Sequence, residues 1–296
     1  MKGWSAPRIA TRTGASHLRR RLSCQDASGW IGLPGTGTEP LWAMVVADGH
    51  GGARYRHSRT GSALACRVAL DLIAVHLATW ESGPGVDLDP VWHALHHTLP
   101  DQIVSLWRRE TGHHWHKQPC ASGESFTPVL YGSTLGVVLL TPHWWASTGL
   151  GDWDLVRIDA DGQARLLSEE GEVGGPSEAT CSLCLTNAPA CFRARTQVHR
   201  LRSGEPSFSL LLSTDGIRKS CSTDRDFFTL ARYLAESEAS AAEQLAADLD
   251  RISGQGSGDD VSVAIARWHD RPEGHGALPP PLWPACRIEQ PAPLQR

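Results

Sequence analysis

Seven consecutive apolar residues, Leu41-Trp42-Ala43-Met44-Val45-Val46-Ala47, stop at once on Asp48-Gly49-His50-Gly51-Gly52. A run that short and that continuous reads as a fully buried strand, since a membrane span needs roughly 20 apolar residues. The glycines that follow let backbone approach a ligand closely and leave the His50 imidazole exposed. A chain carrying such a strand must supply cover for it, and 296 residues with 41% hydrophobic content suffice for a real core.

The cover is legible in the pattern around it. Residues 58–80 carry Leu64, Val68, Leu72 and Val75 with Ala65, Ala69 and Ile73 beside them, which predicts a helix with a broad apolar face for a sheet. A second helix is expected over 89–109, and 110–131 reads as a polar insert in which His113, His114 and His116 form a solvated loop. Strands are expected at 133–141, 143–149 and 153–158, then a strand pair at 196–201 and 208–213, with 168–194 mostly loop between. Helices at 224–236 and 239–252 and a last strand at 261–267 complete the series. Helix pairs with hairpin-connected strands predict an α+β fold of two antiparallel sheets packed together with helices outside, not alternating βαβ units.

Charge narrows the partners. Lys plus Arg is 28 against 32 for Asp plus Glu, a net charge of −4, so there is no electrostatic footprint for nucleic acid. No apolar signal region opens the chain, and a cytoplasmic protein without a membrane role is expected. The eight cysteines are then read as free thiols. Cys181-x-x-Cys184 with Cys191 and His199 is an alternative zinc set, although the spacing of its second pair is loose.

The acidic residues carry the functional signal. Asp48-Gly49 ends one apolar strand, Asp215-Gly216 ends another, and Asp259 precedes a third. Asp152 lies in a turn between two more strands, and Asp26 follows Ser23-Cys24-Gln25. Carboxylates at strand ends can gather on one rim of a sheet sandwich, where their repulsion demands cations. Hard oxygen ligands without a matching His/Cys set select magnesium or manganese over zinc.

Five ordered segments carry a resemblance: Arg21-Leu-Ser-Cys-Gln25-Asp26; Val45-Val-Ala-Asp48-Gly49-His50-Gly51-Gly52; Gly132-Ser133-Thr134; Gly149-Leu-Gly151-Asp152; and Leu212-Ser-Thr-Asp215-Gly216-Ile217 with Gly258-Asp259-Asp260-Val261-Ser262. Together they resemble the metal-dependent protein phosphatases, the type 2C serine/threonine class, in a bacterial-like form. The resemblance implies a four-layer α-β-β-α sandwich over residues 1–268, with 269–296 as a Pro-rich tail. It also implies two magnesium or manganese ions in the cleft between the sheets. Asp48 would bridge them, Gly49 would offer its carbonyl, and Asp215 and Asp259 would hold the second ion. Asp152 matches a third, weaker metal position. Asp26 would orient a metal-bound water, Arg21 would bind the substrate phosphate, and His50 would protonate the departing Ser or Thr oxygen. A metal-bridging hydroxide would attack phosphorus directly. The implied partners are a phosphorylated Ser/Thr protein and the kinase that makes it.

The chain departs from the pattern in places. Trp153 stands where Ser is common, Asp260 where Asn is common, and Lys219 where some members carry a further acid. The last puts the third metal in question. A catalytically weak relative acting as a phosphoprotein-binding or regulatory module is the alternative function.

Overall fold

The computed structural model describes residues 2–35, 39–77, 80, 85–118, 125–168, 181–237 and 242–270. The strands run β1 Lys2–Trp4, β2 Arg8–Arg12, β3 Ala27–Leu33, β4 Leu41–Ala47, β5 Leu135–Leu140 and β6 Trp144–Leu150. They continue with β7 Asp154–Asp159, β8 Ala164–Leu166, β9 Gln197–Arg200, β10 Phe208–Ser213 and β11 Val261–Asp270. The helices are α1 Ala15–Arg19, α2 Ser58–Leu77, α3 Asp89–His93, α4 Leu99–Lys117, α5 Ala188–Ala194, α6 Gly216–Lys219, α7 Asp224–Glu236 and α8 Ala242–Gln255.

Two antiparallel sheets face each other. One has the order β3-β4-β5-β6-β9; the other runs β1-β11-β10-β7-β8, with β2 also paired to β11. The unbroken apolar run of β4 follows from this layering. Trp42, Met44 and Val46 point between the sheets, where they meet Trp4, Trp145, Trp153, Phe208 and Trp268. Ala43 and Val45 point the other way, onto α2 and α4 through Leu70, Ile73 and Trp107. Period-two alternation thus carries apolar residues to both faces because both faces are covered. The second sheet repeats the device: Val263 and Ile265 meet Phe227 of α7 and Leu245 and Leu249 of α8, while Ala264 and Ala266 face inward. Helix α7 begins on a Thr223 hydroxyl that accepts the Asp226 N–H at 3.2 Å, the usual cap for an orphan donor. The result is an α+β sandwich of four layers, helices outside two sheets.

Helix α2 is long and apolar enough by length and composition to cross a membrane, and half of its most apolar window is buried in the protein. Its apolar side chains form the core beneath the first sheet.

Several sequence expectations need correction. The segments 196–201 and 208–213 are not a strand pair: β9 pairs with β6 and β10 pairs with β7 and β11, in the opposite sheet. The turn at Gly151-Asp152 is likewise a crossing from one sheet to the other, since β6 and β7 do not pair. Alternation shows that a strand has a buried face but not which strand lies beside it. The His-rich stretch 113–116 is not a loop; α4 runs on to Lys117, and His114 Nδ1 lies 2.7 Å from the Tyr131 hydroxyl. The helix expected from 89 is continuous in path but passes through a π turn at Ala94–Thr98. The 168–194 segment contains α5. The first twelve residues supply two strands beyond those expected, and β3 runs to Leu33, into the Gly/Pro/Thr-rich stretch 31–40 that reads as loop in the sequence. Of the Pro-rich tail expected over 269–296, residues 269 and 270 belong to β11, and the rest, from 271 onward, lies outside the described residues, as does 169–180.

Candidate metal centre and active site

The acidic strand ends meet at one end of the sandwich. Asp48 leaves β4, Asp215 follows β10, Asp259 precedes β11, and Asp152 sits on the β6–β7 crossing. With Gly49 and His50 they line a cleft of about 420 Å³, joined by His17, Gln25, Gly51, Tyr55, Lys219 and Asp260. Six of the eight residues expected at the site therefore share one cleft. Asp26 lies buried behind it and accepts a hydrogen bond from the Thr214 hydroxyl at 2.7 Å. Arg21 is exposed and is not among the lining residues.

Local packing explains the loop after β4. A Cβ on Gly49 would lie 2.6 Å from the Gln25 carbonyl and 2.7 Å from that of Ser58, so only glycine passes there. The backbone is then pinned by Gly49 N–H to Gln25 O at 3.1 Å and His50 N–H to Gly132 O at 3.0 Å. The His50 ring meets Tyr55 edge-on, 5.0 Å between centroids.

The electrostatics are those of crowded carboxylates. Burial, followed by the facing Asp215, Asp152 and Asp259, pushes Asp48 well above the ordinary carboxylate range. Burial and Asp152 push Asp215 up to about 7. Asp26 is also raised well above its usual value, by burial and then by Asp48 and Asp260. Burial lowers His50, and Asp152 partly opposes that. The Asp215 Oδ1 atom is buried without a hydrogen-bond partner. Oxygen donors that repel one another and leave a buried lone pair unused fit a hard divalent cation. Among the described residues, no three His, Cys, Asp or Glu side chains already close on a single ion position. A cation would have to draw these carboxylates in.

Three participants carry no clear role in the sequence pattern. Lys219 Nζ lies 2.7 Å from Asp215 Oδ2 and 3.4 Å from Asp259 Oδ2, inside the cleft. Asp260 spends its carboxylate on the N-terminal segment: Oδ1 accepts Gly14 N–H at 2.6 Å, Oδ2 accepts Gln25 N–H at 2.6 Å, and His17 Nδ1 is 2.9 Å away. This ties down both ends of the loop that carries Arg21, whose φ of 56° is the one left-handed value at a non-glycine among the described residues. The third is Arg195, buried after α5. Its guanidinium donates to the carbonyls of Gly151, Trp153 (2.7 Å) and Ser168 (2.5 Å) and stacks 4.3 Å over the Trp153 ring. It thereby holds the backbone on both sides of Asp152. Gly151 within that turn has φ 92°, and a Cβ there would strike Thr134 at 2.5 Å. No local pattern announces Arg195; an Arg at the end of a short helix usually faces water.

The alternative zinc set does not assemble. Cys181, Cys184 and Cys191 pack on the core beneath the first sheet, while His199 stacks on Trp145 at 4.0 Å. A more open hollow of about 610 Å³, lined by Asp161, Arg225, Phe228 and Arg232 among others, lies between the β7–β8 turn and α7 and holds no comparable acidic set.

Comparison with known proteins bears on the family and the fold. The family model for Protein phosphatase 2C matches residues 13–252. No curated protein sequence matches the chain. Among solved structures, the catalytic domain of the serine/threonine protein phosphatase PstP, in complex with two manganese ions, aligns with a TM-score of 0.54 at 17% identity, covering 91% of this chain and 100% of that one. Serine/threonine phosphatase Stp1 from Staphylococcus aureus aligns at 0.54 and 16% identity, covering 92% and 98%. PppA, a regulatory component of the type VI secretion system in Pseudomonas aeruginosa, aligns at 0.52 and 18%, covering 90% and 98%. At such identities the structural likeness speaks for the fold. The sequence match, which spans most of the chain, speaks for descent: the protein belongs to the protein phosphatase 2C family of phosphoprotein phosphatases.

Proposed function

We propose that this protein is a metal-dependent phosphatase of phosphoserine and phosphothreonine in proteins. The observation that carries the reading is the convergence of Asp48, Asp152, Asp215 and Asp259 from the ends of both sheets on one cleft that also holds His50. Asp48, the Gly49 carbonyl, Asp215 and Asp259 would hold two magnesium or manganese ions, and Asp152 would flank them. When bound, such ions supply charge to the phosphoryl oxygens and make water a competent nucleophile near neutral pH.

The remaining residues take roles that suit their places. Asp26, fixed by Thr214 behind Asp48, orients the attacking water. His50 donates a proton to the departing seryl or threonyl oxygen, a poor leaving group when unprotonated. Arg21, held on its anchored loop, binds the phosphate dianion through its guanidinium fork. The reading extends to a partner kinase that makes the substrate. It also extends to a cytoplasmic setting, in keeping with the free thiols of Cys24, Cys66, Cys181, Cys184, Cys191 and Cys221.

One observation favours a second reading, in which the protein binds phosphoproteins with little turnover: Lys219 is paired to two of the ligand carboxylates. Manganese-dependent release of phosphate from phosphoserine and phosphothreonine peptides separates the two. The expected result is turnover that chelation abolishes, with Asp48→Asn reducing kcat/KM by on the order of 10²-fold or more, as for other lost electrostatic anchors. Tight peptide binding without metal-dependent release would favour the second reading.

A further inference from the structure

Asp215 and Asp259 sit just beyond the ends of two neighbouring strands, after β10 and before β11, and Thr214 N–H to Ser262 O at 3.1 Å holds those strand ends together. Directly after Asp215 the chain turns into α6. The Lys219 N–H donates to the Asp215 carbonyl at 2.8 Å, so one helical turn brings the Lys219 side chain back over the Asp215 carboxylate. The ammonium takes Oδ2 of Asp215 and reaches Oδ2 of Asp259, leaving Oδ1 of Asp215 buried and unpartnered. Among the described residues that line the cleft, no other lysine or arginine is present. Of the two histidines that line it, His17 is committed to Asp260 and His50 lies against Tyr55.

We propose that Lys219 is a resident cation of the metal centre, sharing Asp215 and Asp259 with an incoming divalent ion and weakening that ion's binding. The proposal rests on the metal-centre reading above. A divalent ion bound through Asp215 and Asp259 must face a fixed positive charge or displace it, and either raises its dissociation constant. An ion held chiefly by Asp48 and the Gly49 carbonyl feels Lys219 less. The two ions should therefore bind in separate steps. Lys219 is half exposed, so water screens the effect to about tenfold rather than many orders of magnitude. In the absence of divalent ions the same ammonium relieves carboxylate repulsion and steadies the metal-free fold.

The test is manganese titration of the chelator-treated full chain, read by the electron paramagnetic resonance signal of free Mn²⁺ and by calorimetry. Wild type should show a weaker second step. Lys219→Met, which keeps length and removes charge, should tighten that step by about tenfold, a shift of about 1.4 kcal/mol, leave the first step in place, and melt at a lower temperature than wild type without metal. Lys219→Gln should behave likewise, and it serves if the Met variant does not fold. Unchanged second-step affinity in both variants overturns the proposal. So does an unchanged metal-free melting temperature. Asp48→Asn is the control: if wild type and this variant bind manganese alike, the metal-centre reading itself has failed; if Asp48→Asn loses binding and the Lys219 variants match wild type, only the resident-cation proposal has.

Discussion

His50 is where a single side chain can be isolated chemically. Its ring sits at the cleft against Tyr55, with its backbone held to Gly132 and its imidazole near enough to Asp152 to feel that charge. Burial lowers its pKa, and Asp152 works in the opposite sense. A group in that position serves as a proton donor only if the leaving oxygen needs the proton. His50→Gln should therefore slow phosphoserine peptide hydrolysis by about 10²-fold or more, the usual scale for general acid catalysis. Nitrophenyl phosphate, whose leaving group departs without a proton, should lose much less. Steady-state kinetics on both substrates decides it, and equal losses would recast His50 as a positioning residue.

At the scale of elements, the decisive piece is the crossing from β6 to β7. It moves the chain between sheets within a few residues, carries Asp152, and exposes carbonyls that no strand can satisfy. From the end of α5, Arg195 satisfies two of them, Gly151 and Trp153, together with the Ser168 carbonyl beyond β8, and packs its flat face on Trp153. Stranding buried carbonyls costs about 1–3 kcal/mol each. Arg195→Met should thus destabilise the fold by several kcal/mol in denaturant melts. Arg195→Lys should recover only part of it, because an ammonium cannot reproduce the planar fork. A melt for Arg195→Met that matches wild type would mean that the crossing is held by something other than this guanidinium.

For the whole molecule, the sandwich itself creates the tension at the site. An aromatic-rich core, with Trp4, Trp42, Trp145, Trp153 and Trp268 buried between the sheets, fixes the strands rigidly enough to press carboxylates together at their ends. Folding raises Asp215 from 3.8 to about 7 and pushes Asp48 and Asp26 upward as well. The folded state then holds protons that the unfolded chain releases. The stabilisation is complete below the unfolded value and is lost as pH climbs through the folded one. Chelated protein should therefore melt at progressively lower temperature from about pH 4 to about pH 7, on the order of 5 °C or more in total. Manganese should raise the melting temperature more at pH 8 than at pH 5. Thermal melts with chelator and with manganese at both pH values check this, and a metal effect independent of pH would contradict it.

The sequence by itself determined the fold class and singled out six of the residues that share the acidic cleft. A seven-residue apolar run that ends on Asp48-Gly49-His50 admits few readings, and Asp215 and Asp259 repeat the same strand-edge placement. These signals are local: alternation and abrupt polarity changes report burial of the residues that carry them. Tertiary structure decided what is non-local. It sent β9 and β10 to different sheets and gave β11 the short N-terminal strands β1 and β2 as partners, none of which alternation can encode. It carried the His-rich stretch of 113–116 into α4, because packing of Trp107 and Trp115 outweighs the polar run. It set Asp260 on Gly14, His17 and Gln25, and Arg195 on the turn around Asp152, through bonds that span tens to hundreds of residues. And it turned Lys219, in the sequence merely a missing acid, into a charge at the centre, because one turn of α6 folds its ammonium back onto the carboxylates that two neighbouring strands deliver.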